Sequence, residues 1–313
     1  MEKQLVAGVD EVGRGCLAGP VFSAAVILDK DKKIKGLKDS KLLSPKKRFS
    51  LFEEIKAKAI SIGIGSCSPK TIDKINIREA TFSSMRFAVR NLSVKPNKIL
   101  VDGDPLEKIK IPVRGIIKGD RLVECIMAAS IIAKVTRDRL MIDYSFIFPE
   151  FDFENNKGYG TKSHLQALKK YKSTPIHRNS FKPVKKNKST LKWIIENNKT
   201  HWLSKKLIGL YLKELGHKVL AIDYLDAKKN TEIDIITLCK SKIFFTEVFS
   251  TIDTKNNESE GYYYQNSLEY KDRNIFTEIK NKFHPKFDYQ IDRVYIRINT
   301  GPPKINRIEN VYF

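Results

Sequence analysis

The chain has 313 residues, 41% of them hydrophobic and 30% charged, with a net charge of +22. That length favours two domains over one, and the apolar share excludes general disorder. No apolar run is long enough to span a membrane, no signal-peptide layout opens the chain, and the four cysteines form no C-x-x-C pair, so the expectation is a cytoplasmic protein with reduced thiols, no zinc site and no membrane partner.

Charge is unevenly distributed. Residues 1–190 carry 38 Lys and Arg against 20 Asp and Glu, whereas residues 191–313 carry 20 against 16. A basic excess of that size suits a polyanion such as nucleic acid, because each neutralised phosphate releases counterions. A Lys-rich composition that merely keeps the protein soluble is the alternative.

Taken in chain order, residues 3–9 and 20–28 read as strands around a glycine-rich turn. "LLSPKKRFSLFEEIKAKAI" opens a helix with Ser44 as N-cap and Pro45 in the first turn. "NIREATFSSMRFAVRNL" is a second amphipathic helix, and "NKILVDGD" and "IPVRGIIKGD" are short strands that end in acids. "RLVECIMAASIIAKVTRDRLMIDY" predicts one long buried helix, and "LQALKKYK" closes the first part. Helices between strands indicate a mixed sheet with helices against it. "KPVKKNKST", residues 182–190, is basic, has no periodicity and reads as a linker. Beyond it lie a helix at "THWLSKKLIGLYLKELG" and strands at "HKVLAIDYL", "TEIDIITLC" and "KIFFTEVFS". A helix over 260–283 and a closing strand at "YQIDRVYIRIN" complete a smaller α/β unit.

Four acids share one context. Asp10 and Glu11 follow "VAGV", Asp102 follows "KILV", and Asp120 follows "RGIIKG". If these strands lie side by side, their ends form one rim of carboxylates. Such a cluster raises its own pKa values unless a cation neutralises it, and hard oxygen ligands select Mg²⁺ or Mn²⁺. Two such ions support in-line attack of water on a phosphodiester. Asp102-Gly103 is equally a common turn dipeptide, and Asp120 is equally placed to cap the long helix. Consecutive strand residues point to opposite faces, so Asp10 and Glu11 serve one site only if the chain leaves strand geometry at Glu11. Gly13 and Gly15 permit that departure and a close backbone approach to a ligand.

The run "DEVGRGCLAGPV" resembles the signature of type 2 ribonuclease H, ribonuclease HII. The resemblance continues, in order, through "LKDSKLLSPKKR", "VDGD", "IIKGD", "AASIIAKVTRDRLM", "GYGTKSHLQAL" and "TPIHRNSF" and covers residues 1–185. It implies a ribonuclease H-like mixed sheet with flanking helices. It further implies hydrolysis on the 5′ side of a ribonucleotide, in RNA–DNA hybrids and in duplex DNA with embedded ribonucleotides, leaving 3′-OH and 5′-phosphate ends. Asp10, Glu11, Asp102 and Asp120 match the family's acids for a two-metal Mg²⁺ or Mn²⁺ site, with Asp138 a second candidate for the fourth. Asp138 is otherwise read as an intrahelical partner of nearby arginines. Gly13, Arg14 and Gly15 match the motif whose backbone reads the ribose 2′-OH, and Tyr159 matches the tyrosine that packs on the junction sugar. Lys41, Asn76, Ser130, Lys134, Lys162 and His177 fall in matching blocks, with phosphate contacts expected among them. His164 and His177 are read as hydrogen-bonded structural or phosphate-contacting groups.

Residues 186–313 resemble, more loosely, the YraN-like family allied to the PD-(D/E)xK nucleases, which implies a restriction-endonuclease-like α/β domain. Asp234 and Glu247 match its two acids and Glu232 the neighbouring one, but Phe249 stands where the lysine is expected. A degenerate second domain is the expectation, since water activation and transition-state charge stabilisation lose that lysine. The sequence identifies no partner for it.

Overall fold

The computed structural model describes residues 4–227, 231–252, 273–299 and 301–311. The chain divides into two units, Met1–Ile142 with Asp152–Lys188, and Asp143–Phe151 with Ser189–Phe313.

The first unit is built on a mixed sheet of β1 (Val6–Val12), β2 (Val21–Ile27), β3 (Ser61–Cys67), β4 (Lys98–Asp102) and β5 (Val113–Ile116), in the order β3-β2-β1-β4-β5. β1 to β3 are antiparallel neighbours, and β4 and β5 continue parallel to β1. Between them run α1 (Pro45–Lys58), α2 (Pro69–Ile75), α3 (Ile77–Arg90), the short α4 (Gly119–Leu122) and the long α5 (Glu124–Ile147). α6 (Phe153–Asn156), α7 (Lys162–Tyr171) and α8 (Lys182–Lys185) follow.

Local signals explain several of these boundaries. Ser44 accepts the N–H of Lys47 at the start of α1, directly before Pro45. Asn76 does the same for α3, through the N–H of Glu79. The two sheet faces have separate cores. On one, Ala24 and Val26 pack with Leu51, Phe52 and Ile55 of α1 and with Ala128, Ala129, Ile131 and Ile132 of α5. On the other, Val9, Ala25 and Val101 pack with Met85, Ala88 and Val89 of α3. Each large side chain buried this way contributes roughly 1.5–3 kcal/mol. α5 approaches β1 so closely that a Cβ at Gly8 would lie 2.1 Å from the carbonyl carbon of Cys125.

Three expectations are corrected in this unit. β1 does not stop at residue 9 but pairs on through Asp10↔Ala24, Glu11↔Ser23 and Val12↔Phe22. The single long helix is two, because Val123 is extended between α4 and α5. The linker is partly helical, and Val184 of α8 is fully buried.

The second unit carries α9 (Leu191–Glu196), α10 (Thr200–Glu214), β6 (Lys218–Asp226), β7 (Thr231–Cys239), β8 (Lys242–Ile252), α11 (Arg273–Phe283), β9 (Asp288–Ile298) and β10 (Lys304–Ile308). Its sheet runs β10-β9-β8-β7-β6, with only the β8–β9 pair parallel. Phe245, Phe276, Ile279 and Ile291 form its core with Ile233, Ile236 and Ile243. Of the helix expected over 260–283, residues 260–272 lie outside the described residues. No helix among the described residues is long and apolar enough to cross a membrane. Both units are thus α/β, the first a mixed sheet with flanking helices and the second a smaller unit on its own five-stranded sheet.

Candidate active site

The acids collect where β1 and β4 end. Val9 is level with Val101 in the parallel pair, so Asp102 stands one step further, level with Asp10. Beyond β5 the backbone turns through a left-handed Lys118 and starts α4 over the end of β4. The Asp102 carboxylate accepts the N–H of Gly119 at 2.7 Å and of Asp120 at 3.4 Å, which ties the α4 turn bearing Asp120 to this end. Asp102 therefore caps α4, and Gly103 beside it takes a left-handed turn at φ 80°.

The expected departure from strand geometry at Glu11 does not occur. Asp10 and Glu11 stay in β1 and face opposite sides of the sheet, so a site they share has to reach round the strand end where Asp102 stands. Asp10 pairs with Ala24 on the α5 side and accepts a hydrogen bond from Ser130. Glu11 pairs with Ser23, whose hydroxyl meets Ser84 of α3 at 2.6 Å, and so lies on the α3 side. There it lines a cavity of about 210 Å³ with Arg14, Arg78, Asp102 and Asp104. The site straddles the strand end, with Asp102 felt from both sides.

The electrostatics follow this placement. Burial pushes the Asp10 carboxyl well above its ordinary range, and Glu11 and Asp102 add to the effect against the Ser130 hydrogen bond. Burial also raises Glu11, opposed by Arg14 at 3.6 Å and reinforced by Asp102. Asp120 is raised by burial, then by Asp102 and Asp39. Among the described residues, Asp10, Asp102 and Asp120 have no cation within ion-pair distance. The same residues include no three His, Cys, Asp or Glu side chains already closed around one point. The acids are neighbours, not a finished cage. Their donor set, hard carboxylate oxygens that repel one another without a counter-charge, nonetheless fits divalent cations of the Mg²⁺ type.

The remaining predicted residues are placed as follows. The Gly13–Gly15 turn adjoins the acids, with Arg14 paired to Glu11. A Cβ at Gly13 would strike Arg137 Nε at 2.2 Å, whereas one at Gly15 would meet nothing within 4 Å. Tyr159 lies 40% exposed, with its hydroxyl pushed up to about 12 by burial and the neighbouring Cys16. Lys41 acts on both Glu11 and Asp120 through its charge. Ser130 also contacts Ser40 at 2.9 Å, and Asn76 serves as a helix cap. Lys134 binds Asp138 at 2.9 Å, so Asp138 pairs with a lysine and not with the arginines expected for it. Lys162 opens α7, exposed. His177 is 1% exposed and meets His164 Nε2 to Nε2 at 3.0 Å, which removes it from any phosphate contact.

Sequence reasoning missed two kinds of residue. Asp39, 2% exposed, adds a fifth negative charge beside Asp120 and pairs with Arg121 at 3.5 Å. Arg137 and Arg178 are fully buried beneath the glycine-rich turn. A lone arginine in a polar block carries no sequence signal that it is buried.

The family model for ribonuclease HII matches residues 7–184. The chain belongs to the ribonuclease HII family. It is 52% identical over 182 residues to the ribonuclease HII of Enterococcus faecalis, a region covering 58% of this chain and 71% of that protein. With the ribonuclease HII of Shewanella pealeana it shares 52% over 179 residues, 57% of this chain and 88% of that one. In structure it is similar to the ribonuclease H2 from Pyrococcus horikoshii OT3, at TM-score 0.52 and 32% identity over 58% of this chain and 96% of that one. The chain is thus an endoribonuclease of the ribonuclease H type, a phosphodiester hydrolase that acts on RNA in RNA–DNA hybrids. The matched region of the chain ends before α9.

In the second unit two of the three acids read as nuclease-like, Asp234 and Glu247, are held by partners within that unit. Asp234 accepts the N–H of Val248 at 2.9 Å and lies 3.2 Å from His201 and 3.6 Å from Lys205. Those contacts hold its carboxyl below the usual range despite burial. Glu247, 1% exposed, takes the Arg293 guanidinium at 2.9 Å, and Phe249 stacks on Tyr295 with ring centres 4.8 Å apart. Glu232 is exposed on β7.

Proposed function

We propose that residues 1–185 form the ribonuclease HII catalytic domain and use Asp10, Glu11, Asp102 and Asp120 to hold two divalent ions, Mg²⁺ or Mn²⁺. When bound, such ions supply an activated water and neutralise charge on the phosphodiester. The chain's own residues do the rest. Asp102 keeps α4, and with it Asp120, at the strand end, and Ser130 orients Asp10. The Gly13-Arg14-Gly15 backbone tests for a 2′-hydroxyl, the group that distinguishes RNA from DNA, while Tyr159 packs on the junction sugar. Lys41, Asn76, Lys134 and Lys162 position the duplex through its phosphates. Cleavage falls on the 5′ side of a ribonucleotide, in hybrids and in DNA with embedded ribonucleotides, leaving 3′-OH and 5′-phosphate ends in a cytoplasmic setting.

One observation carries this reading: Asp102, level with Asp10 across the β1–β4 pair, acts electrostatically on Asp10, Glu11 and Asp120 alike. We further propose that residues 186–313 are a YraN-like domain without nuclease activity. Support comes from Asp234 and Glu247, each neutralised by a basic side chain, and from the aromatic Phe249 beside them.

A duplex with a single ribonucleotide, incubated with Mg²⁺, tests both parts. Cutting at the ribonucleotide that is lost in Asp10→Asn and kept in Glu247→Gln is the expected result. Cutting without a ribose requirement that disappears in Glu247→Gln would move the activity to the second unit.

A further inference from the structure

Arg137 and Arg178 are both 0% exposed. Buried cations ordinarily pair with carboxylates, because desolvating an unpaired charge costs several kcal/mol. Among the described residues neither has a carboxylate within ion-pair distance. Both donate to backbone carbonyls instead. Arg178 donates from Nε to Gly19 O at 3.0 Å, from Nη1 to Arg14 O at 2.7 Å and from Nη2 to Gly13 O at 2.6 Å. Arg137 donates from Nε to Pro20 O at 3.0 Å, from Nη2 to Ala18 O at 3.0 Å and from Nη1 to Lys157 O at 2.8 Å. Five of these six bonds end on the segment 13–20, which follows the acids of β1. Burial lowers Arg178 only to about 10, so it stays cationic near neutral pH.

The planarity of the peptide bond gives this clamp a consequence. In a trans peptide unit the C=O and the next residue's N–H point in opposite directions. Drawing the Gly13 and Arg14 carbonyls inward therefore turns the N–H groups of Arg14 and Gly15 outward. Neither N–H has an acceptor among the described residues. Gly15 borders open space, whereas Gly13 rests on the Arg137 side chain. The turn carrying Arg178 is itself fixed, since Asp73 accepts the N–H of Asn179 at 2.9 Å and of Ser180 at 2.8 Å.

We infer that Arg178 is a positioning residue for ribose recognition: it holds two carbonyls inward so that the Arg14 and Gly15 N–H groups face the substrate's 2′-hydroxyl, with Arg137 bracing the segment behind. This rests on the reading that the Gly13–Gly15 turn senses that hydroxyl. The guanidinium also polarises the two peptide units and strengthens their donors. Lysine keeps the charge but cannot reach three carbonyls in one plane.

The test is the affinity of full-length protein, in an Asp10→Asn background and without divalent ions so that cutting is suppressed, for a duplex with one ribonucleotide and for the same duplex as DNA throughout. Arg178→Lys should lower the preference for the ribonucleotide duplex about tenfold, the worth of one hydrogen bond, with the all-DNA affinity within about twofold. An unchanged preference in folded Arg178→Lys, alongside a lost preference in Gly15→Ala, overturns the arginine's role alone. An unchanged preference in both variants overturns the ribose-sensing turn itself. Amide exchange in the unsubstituted protein decides the matter if Arg178→Lys does not fold. The Arg14 and Gly15 amides should exchange much faster than those of Leu17 and Gly19, which donate to Gly158 O and Ile176 O at 2.8 Å, and should slow only with the ribonucleotide duplex. Protection of Arg14 and Gly15 without nucleic acid would defeat the inference.

Discussion

His164 and His177 meet through their Nε2 atoms at 3.0 Å, so one ring donates and the other accepts. Their outer nitrogens are also engaged, His164 Nδ1 with Tyr159 O at 2.9 Å and His177 Nδ1 with the Thr174 hydroxyl at 2.8 Å. A proton added to either ring leaves two donors facing each other or strands a donor on Thr174. The pair therefore anchors the Tyr159 loop in a neutral state. Burial lowers His164 and takes His177 well below its ordinary 6.5.

With folded values below the unfolded one, the unfolded chain binds more protons as pH falls through about 6.5. The pair's contribution is thus intact above that pH and is lost below it, by up to about 1.4 kcal/mol per pH unit for each ring. Thermal midpoints from pH 7.5 to 5.5 should fall more steeply in the wild type than in His177→Gln. Parallel slopes would show that the pair does not titrate this way.

Asp10 supplies a prediction of opposite sign. Its folded value lies well above 3.8, so the folded state binds the extra proton and stability declines as pH rises past that value. Asp10→Asn should stabilise the metal-free protein at pH 7 by about 1–2 kcal/mol and lower cleavage at least about a hundredfold. Mg²⁺ should raise the thermal midpoint of the wild type more than that of the variant. A less stable variant with an undiminished response to Mg²⁺ would count against Asp10 as a ligand.

The two glycines of the turn separate packing from recognition. Gly13→Ala places a Cβ 2.2 Å from Arg137 Nε at φ 91° and should cost at least about 2 kcal/mol of stability. Gly15→Ala meets nothing and should stay within about 0.5 kcal/mol of the wild type, yet lose about tenfold or more in kcat/KM on a ribonucleotide duplex. Thermal midpoints and steady-state rates measured together on both variants decide it.

Glu247→Gln tests the second unit. Removing the charge that faces Arg293 at 2.9 Å should destabilise that unit by about 2–4 kcal/mol while leaving ribonucleotide cutting unchanged. A urea titration followed by the fluorescence of Trp193 and Trp202, both in that unit, gives the first number, and a cleavage assay the second.

Short-range chemistry was legible without coordinates. Ser44-Pro45 marks the start of α1, the end of β4 displays Asp102, and the apolar runs of β7 and β8 read as strands, because capping and side-chain patterning act over a few residues. Asp120, expected at a strand end, instead lies beyond β5 in α4. β3 stayed hidden because Gly63 and Gly65 weaken its strand signal. Their absent side chains instead admit α3, whose Ala88 O and Ser84 O lie within 2.0 and 2.1 Å of where a Cβ would be. Only the tertiary structure decided that Asp10 and Glu11 lie on opposite faces of an unbroken strand, that Asp102 comes level with Asp10, and that two arginines lie buried under the turn. Register and burial arise from contacts between residues up to 165 positions apart, such as Arg178 with Gly13, and no local pattern encodes them.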